Sequence, residues 1–495
     1  MEFSERTLLL QSNNNSSNKL SVFFAIICIV DIFGVFPIVA LPKAIIDCGY
    51  YGIATILLIC TVQIYTASLL GRSWNIAQEI NPNIKLKSRY PYSALAEITY
   101  GKYLSRFVNF LVDLTVFSGG IPNLIVASQN LELLGLRISN QNTDISFCYW
   151  IIILGVLLCP MLWLGSPKDM KILCSISVVL VILVFLLICW CILFGTTPES
   201  STVTDNSTVE IWKYIMTAYG IIAFQFDVHP VVLTIQMDMK KKSKLPLAVL
   251  CGFFVSLLMF AVITIISAYK YGTFIRPSLL ETLPTSIPLH FAAVLVALQL
   301  CLTSVVSNNA LYQHMENCLN ISRDFNCKRC ILRTILTILA IVLAESVPRF
   351  DLVMSLIGGS LTAPLVFILP PLFYMKLQSL QKKHIEQLQE ESITNILMPR
   401  AGPSSEFSEE YSADLSKYYE TKFKEEFKAY AGKCDKFFEC VFNRKLEIVI
   451  CCIIIIASVC ATCVTSYLNI RSSALSYVNF SKPCIYNISR TLLYL

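Results

Sequence analysis

Charge is what this sequence is short of. Only 15% of its 495 residues are Asp, Glu, Lys or Arg, against about a quarter in a soluble chain. With 55% hydrophobic residues and a mean hydropathy of +0.63, a soluble globular protein is excluded. Histidine is scarce as well, at four residues. The pair Cys327 and Cys330 has no second spaced pair of Cys or His, so no metal site is expected. There is no phosphate loop, nucleotide fingerprint, short-period repeat or carbonyl-type pore filter. The expectation is therefore no enzyme, no cofactor and no nucleic-acid partner. The first twenty residues lack a basic n-region and a small-residue cleavage site, so no removable signal peptide is expected.

Cysteine is not scarce, but most of the twenty lie in apolar runs rather than in a secreted disulfide pattern. They read as small buried apolar side chains. Eleven apolar segments approach the length of about 20 residues that crosses a bilayer. They cover 20–46, 49–71, 104–134, 148–165, 171–195, 212–236, 246–269, 288–315, 331–346, 351–376 and 446–469. The ninth is the weakest.

Basic residues set the orientation. They cluster in alternate loops, as at Arg72 to Arg106, Lys168 and Lys171, Lys240 to Lys244, and Arg323 to Arg333. By the positive-inside rule those loops and the N-terminus are cytoplasmic, and the C-terminus is lumenal or extracellular. The sequons at Asn206, Asn479 and Asn487 all fall on the lumenal side, whereas Asn320 falls inside. In the N-terminal tail, Glu5 with Leu9 and Leu10 fits an acidic-dileucine sorting signal, and so a sorting adaptor as partner.

Phe224-Gln225-Phe226-Asp227-Val228-His229-Pro230 lies inside the sixth apolar segment. A central Asp there costs about 2.5–3.5 kcal/mol to insert, and a proline removes a backbone donor. Such a break is tolerated where it lines a cavity. The first segment is interrupted in kind: Asp31 precedes Gly34-Val35-Phe36-Pro37. An intramembrane carboxylate is a functional candidate, although Asp31 could instead hydrogen-bond a neighbouring helix. His229 is a structural group or a proton relay. In the third segment Asp113 is followed by Ser118-Gly119-Gly120, and the two glycines favour close helix packing. Gln299, Thr303 and Ser307, with Ser304 and Asn308 beside them, make one polar edge that either packs or lines the cavity. The charged stretch 377–445 reads as a solvated cytoplasmic loop with helical ends.

Two broken segments, with five spans in each half, suggest an inverted repeat with a midplane site. An amino acid would suit it, offering a carboxylate to free N–H groups and an ammonium to free carbonyls. The expected fold is thus an all-α multi-pass membrane protein of eleven transmembrane helices, a 5+5 inverted repeat plus one. The expected units are a tail (1–19), a ten-helix core (20–376), a loop (377–445), the eleventh helix (446–469) and an outer tail (470–495).

Several stretches carry a resemblance. They are Leu41-Pro42-Lys43-Ala44-Ile45 through Cys48-Gly49-Tyr50-Tyr51-Gly52, and Tyr90-Pro91-Tyr92-Ser93-Ala94-Leu95-Ala96 with Gly101. To these add Phe224 to Pro230 with Met239-Lys240, Leu283-Pro284, Val347-Pro348 with Leu356 to Thr362, and Leu369-Pro370. Together they make the chain similar to the amino acid/auxin permease family, in the branch of the vesicular inhibitory amino acid transporter and its vacuolar and lysosomal relatives.

The resemblance implies a fold like the bacterial leucine transporter and secondary active transport of amino acids, usually proton-coupled, by symport or antiport. It implies an endosomal, lysosomal or vesicular membrane ahead of the plasma membrane. Carried onto this chain, Gly34, Val35, Phe36 and Pro37 form the first unwound segment. Phe224, Phe226, Asp227 and His229 form the second, with Thr303 and Ser304 facing them. Phe36, Phe224 and Phe226 would make the chamber partly aromatic, a fit for large neutral side chains.

The chain also departs from the family. The common Asn falls on Asp31, and a Gly-x-Gly falls on Val35 and Pro37. A titrating Asp favours protons over sodium, with Asp227 the first choice as proton carrier and Asp31 the second. A nutrient sensor signalling through 377–445 and a ligand-gated channel are the competing readings.

Overall fold

The computed structural model describes residues 20–87, 90–138, 147–163, 167–195, 211–321, 325–346, 350–397 and 444–477. Among them every regular element is helical. The first apolar segment is three pieces: α1 (Val22–Phe33), α2 (Phe36–Val39) and α3 (Leu41–Asp47). Then come α4 (Tyr50–Ile80), α5 (Pro91–Tyr100), α6 (Lys102–Ile138), α7 (Phe147–Trp163) and α8 (Pro167–Phe194). The sixth segment is two pieces, α9 (Ile211–Gln225) and α10 (His229–Asp238). After these follow α11 (Leu245–Tyr271), α12 (Leu279–Thr282), α13 (Ile287–Cys318) and α14 (Cys327–Ser346). The chain closes with α15 (Phe350–Ile357), two π turns at 358–362 and 364–368, α16 (Leu369–Leu397) and α17 (Arg444–Tyr477).

Proline sets many of the starts. Pro37, Pro42, Pro91, Pro230, Pro246 and Pro288 each occupy the first two positions of a helix. There the missing N–H costs nothing and the fixed φ is already helical. Gly34 ends α1 at φ +59°, a conformation that side chains with a Cβ avoid.

Eight helical stretches are long and apolar enough to cross a membrane, so the chain is a multi-pass membrane protein. The other three expected spans fall on helices that miss those criteria for visible reasons. The break at Gly34 leaves α1 only 12 residues long, and α7 has 17. Helix α14 carries Lys328, Arg329, Arg333 and Glu345. Several boundaries also move outward: α4 runs to Ile80, α16 to Leu397 and α17 to Tyr477. The helix expected to end at 376 therefore continues into the charged stretch. The sorting residues Glu5, Leu9 and Leu10 and the sequons Asn206, Asn479 and Asn487 lie outside the described residues, as does most of 377–445.

Two kinds of contact hold the bundle together. The first is close backbone approach: a Cβ on Gly358 would lie 1.8 Å from the Gly220 carbonyl oxygen. This lets the π-turn region of the tenth span rest directly on α9. The second is buried charge. Arg72 of α4 bonds Glu447 of α17 at 2.5 Å, and Tyr374 of α16 bonds both. On the other flank, Glu316 of α13 accepts from Arg333 of α14 at 2.7 Å, and Arg333 also bonds the Leu162 carbonyl of α7. Buried ions persist only when paired in this way. The described cysteines are free thiols.

Candidate functional site

Both breaks occur where proline and the polar residues stand. Between α1 and α2 the chain turns at Gly34 and Val35, and between α9 and α10 it unwinds over 226–228. The breaks meet at an aromatic clasp. Phe33 packs edge-on to Phe226 (ring centroids 5.2 Å apart) and to Phe253 of α11 (4.8 Å). This clasp is fully buried. It fixes the two interrupted spans against each other.

On the other side of the clasp lies a cavity of about 560 Å³. Its wall includes Asp31, Gly34, Phe36, Phe224, Asp227, Thr303 and Ser304. From there it runs past Asp113 and His314 to the end of the bundle that carries Leu20, Tyr90, Asp238 and Asn317. Thr234, Asp238 and Gln313 are exposed at that end.

Not every expected residue reaches the cavity. Val35 and Pro37 are buried in the core behind Gly34 and Phe36. Phe226 turns into the clasp and not toward the chamber, because at a break in the helix the side-chain period no longer fixes the direction. Of the three expected aromatic residues, only Phe36 and Phe224 line the wall. His229 is fully buried, with Nε2 3.0 Å from the Thr66 hydroxyl of α4. It sits behind the wall, not on it.

Asp227 faces the cavity, and its Oδ1 accepts the His229 main-chain N–H at 3.1 Å. The carboxylate thus caps the start of α10. Asp31 is differently placed. It is 1% exposed, Thr303 Oγ1 lies 3.5 Å from its Oδ1, and its Oδ2 has no hydrogen-bond partner.

Gln299 organises the polar side of the first break. Its Oε1 accepts the Val35 N–H at 3.3 Å. Its Nε2 donates to Ser177 Oγ at 3.2 Å and to Thr303 Oγ1 at 2.6 Å. The polar edge of α13 is therefore both packing and lining: Gln299 binds the break, while Asn308 lies close against Gly120. Nearby, Cys28 and Cys174 face each other with sulfurs 3.7 Å apart.

Sequence reasoning missed the mouth of the cavity. Asp113 of α6 makes a short contact with His314 Nδ1 of α13. Tyr90 packs on the His314 ring at 4.8 Å and accepts from Asn317 at 2.5 Å. Asp113 was visible as a polar residue in a span, but nothing in its neighbourhood names a partner 201 positions away. Among the described residues no three His, Cys, Asp or Glu side chains come together as a metal site.

Comparison with known proteins gives the family. Residues 18–403 match the family described as "Transmembrane amino acid transporter protein". "Amino acid transporter AVT1I" of Arabidopsis thaliana is 22% identical over 363 residues, covering 70% of this chain and 84% of the relative. "Sodium-coupled neutral amino acid symporter 2" of Danio rerio is 27% identical over 217 residues, 41% of this chain and 42% of that one. Among solved structures, MhsT in complex with L-phenylalanine aligns with a TM-score of 0.47 and 14% identity, over 73% of this chain and 96% of the other. The match over 18–403 spans both broken helices and the polar edge of α13, and it places the chain among transporters rather than enzymes: it belongs to the transmembrane amino acid transporter protein family.

Proposed function

We propose that this chain is a secondary active transporter that moves amino acids by alternating access, coupled to protons. The observation that carries the reading is Asp31: a buried carboxyl beside a broken helix, facing the cavity, with only neutral side chains around it. A carboxyl inside a span that lines a cavity is a candidate station on a proton path. The Danio rerio relative is named sodium-coupled; a titratable Asp at this position favours protons here. The geometry also favours reversing the order of candidates. Asp227 is engaged in capping α10, which leaves Asp31 the better proton carrier and gives His229 a structural part.

On this reading the fold is a 5+5 inverted repeat plus α17. The eleven spans are completed by the broken first segment, α7 and α14. With Lys240 to Lys244 in the cytoplasm, the cavity opens inward, and Asn206, Asn479 and Asn487 are glycosylated on the far side. One bundle rocks against the other around the fixed site.

Uptake of labelled amino acids into proteoliposomes, with and without an imposed pH gradient, tests this. Accumulation should follow the gradient in the wild type. In Asp31→Asn, exchange should persist while the gradient no longer drives accumulation. Gradient-driven uptake unchanged by that substitution would sink the assignment.

A further inference from the structure

Among the described residues, the carboxylates on the cavity wall are Asp31, Asp113, Asp227 and Asp238; His314 is the one basic group, and no lysine or arginine joins them. A chamber lined by one sign of charge concentrates the opposite sign. Two main-chain donors at the breaks that a carboxylate could use are, in addition, already engaged. At the first break the Val35 N–H is bound to Gln299 Oε1. At the second, the His229 N–H is bound to Asp227 Oδ1. The second residue of each resumed helix is proline, Pro37 and Pro230, which has no N–H to give. Asp227 thus holds a carboxylate where the positive end of α10 would draw an anion.

Sites for a cation stand open by comparison. The Asp31 carboxyl is buried and lines the cavity, and the side chains around it, Thr303, Ser177 and Cys174, are all neutral. The C-terminal ends of α1 and α9 lie at the breaks, and helix C-termini carry partial negative charge.

We propose that the cavity selects amino acids bearing a second positive charge, of the lysine, arginine or ornithine type, over neutral and acidic ones. This rests on the transport reading above and narrows its substrate. The α-ammonium lies at Asp31 and the helix carbonyls. The side-chain cation points toward the mouth, where Asp113, held against His314, and Asp238 lie on the wall. The α-carboxylate is left to neutral donors of α13, Ser307 and Asn308. An acidic side chain would meet carboxylates along the wall, which carries no lysine or arginine among the described residues to pair it. His314, held on Asp113, is the one basic side chain set against these carboxyl groups.

The test uses the full chain in proteoliposomes, with the membrane potential clamped at zero and a fixed pH gradient. Initial uptake of labelled lysine, leucine and glutamate is compared. The expected result is a kcat/KM at least about tenfold higher for lysine than for leucine, a difference of about 1.4 kcal/mol, with glutamate at background. Asp113→Asn and Asp238→Asn should each lower the lysine-to-leucine ratio. Leucine uptake equal to or above lysine, uptake of glutamate, or an unchanged ratio in both variants overturns the proposal while leaving amino-acid transport intact. If no amino acid accumulates, the transport reading itself falls, and this one with it.

Discussion

Gln299 and Val35 are joined across 264 residues of sequence by a 3.3 Å hydrogen bond from a main-chain N–H to a side-chain amide oxygen. The bond fills a donor that the interruption of the first span would otherwise leave bare in the interior. It also ties the break to the hydroxyls of Ser177 and Thr303 through the other half of the same amide.

Replacing Gln299 with Leu should therefore cost about 1–3 kcal/mol, the penalty for an unsatisfied buried donor. Thermal unfolding of the purified chain in detergent reads it. An unchanged midpoint would mean that the bond adds nothing.

Gly34 combines φ +59° with a crowded surrounding: an added Cβ would lie 2.8 Å from Gln299 Nε2. Gly34→Val should therefore lower uptake at least about tenfold and reduce stability by about 1–2 kcal/mol or more. Gly49 has a similar φ with nothing within 4 Å, so Gly49→Ala carries strain without the clash and should spare transport. Equal losses at both sites would point to backbone strain alone.

Helix α17 is fastened to the core at both ends. Glu447 meets Arg72 and Tyr374 near its start, while Asn469 bonds Ser355 at 2.9 Å farther along. Removing one member of a buried ion pair strands the other, at a cost of about 3–5 kcal/mol. Glu447→Gln should therefore destabilise the chain more than the double variant Arg72→Leu with Glu447→Leu. Additive losses in a double-mutant cycle would refute the pairing.

Orientation is open to a simple assay. N-glycosidase treatment of the expressed protein should collapse a glycosylated band to the mass seen for Asn206→Gln combined with Asn479→Gln and Asn487→Gln. Asn320→Gln should change nothing. A band shift lost only in Asn320→Gln would invert the topology.

The breaks were legible because proline and aspartate are expensive inside apolar segments, and such residues stand out in a single sequence. The direction of a side chain at a break was not. Helical periodicity ends there, so Phe226 was expected in the chamber and is found in the clasp with Phe33 and Phe253. Partners distant in sequence were equally hidden. Arg72 and Glu447 are 375 residues apart, and each alone looked like an ordinary charge near the end of a span. Gln299 was seen as part of a polar edge, yet that pattern is the same whether the amide lines a cavity or holds a backbone. The charged face of α14 hid its place in the bundle, since its arginines are buried by pairing with Glu316, which hydropathy does not register.

Leu20 donates its N–H to the Asp238 carbonyl at 2.7 Å and accepts from the Lys240 N–H at 2.9 Å, at the lip of the cavity. The two interrupted spans are therefore stitched at that lip as well as clasped in the middle, so a displacement of one at the doorway would have to carry the other with it or break both bonds.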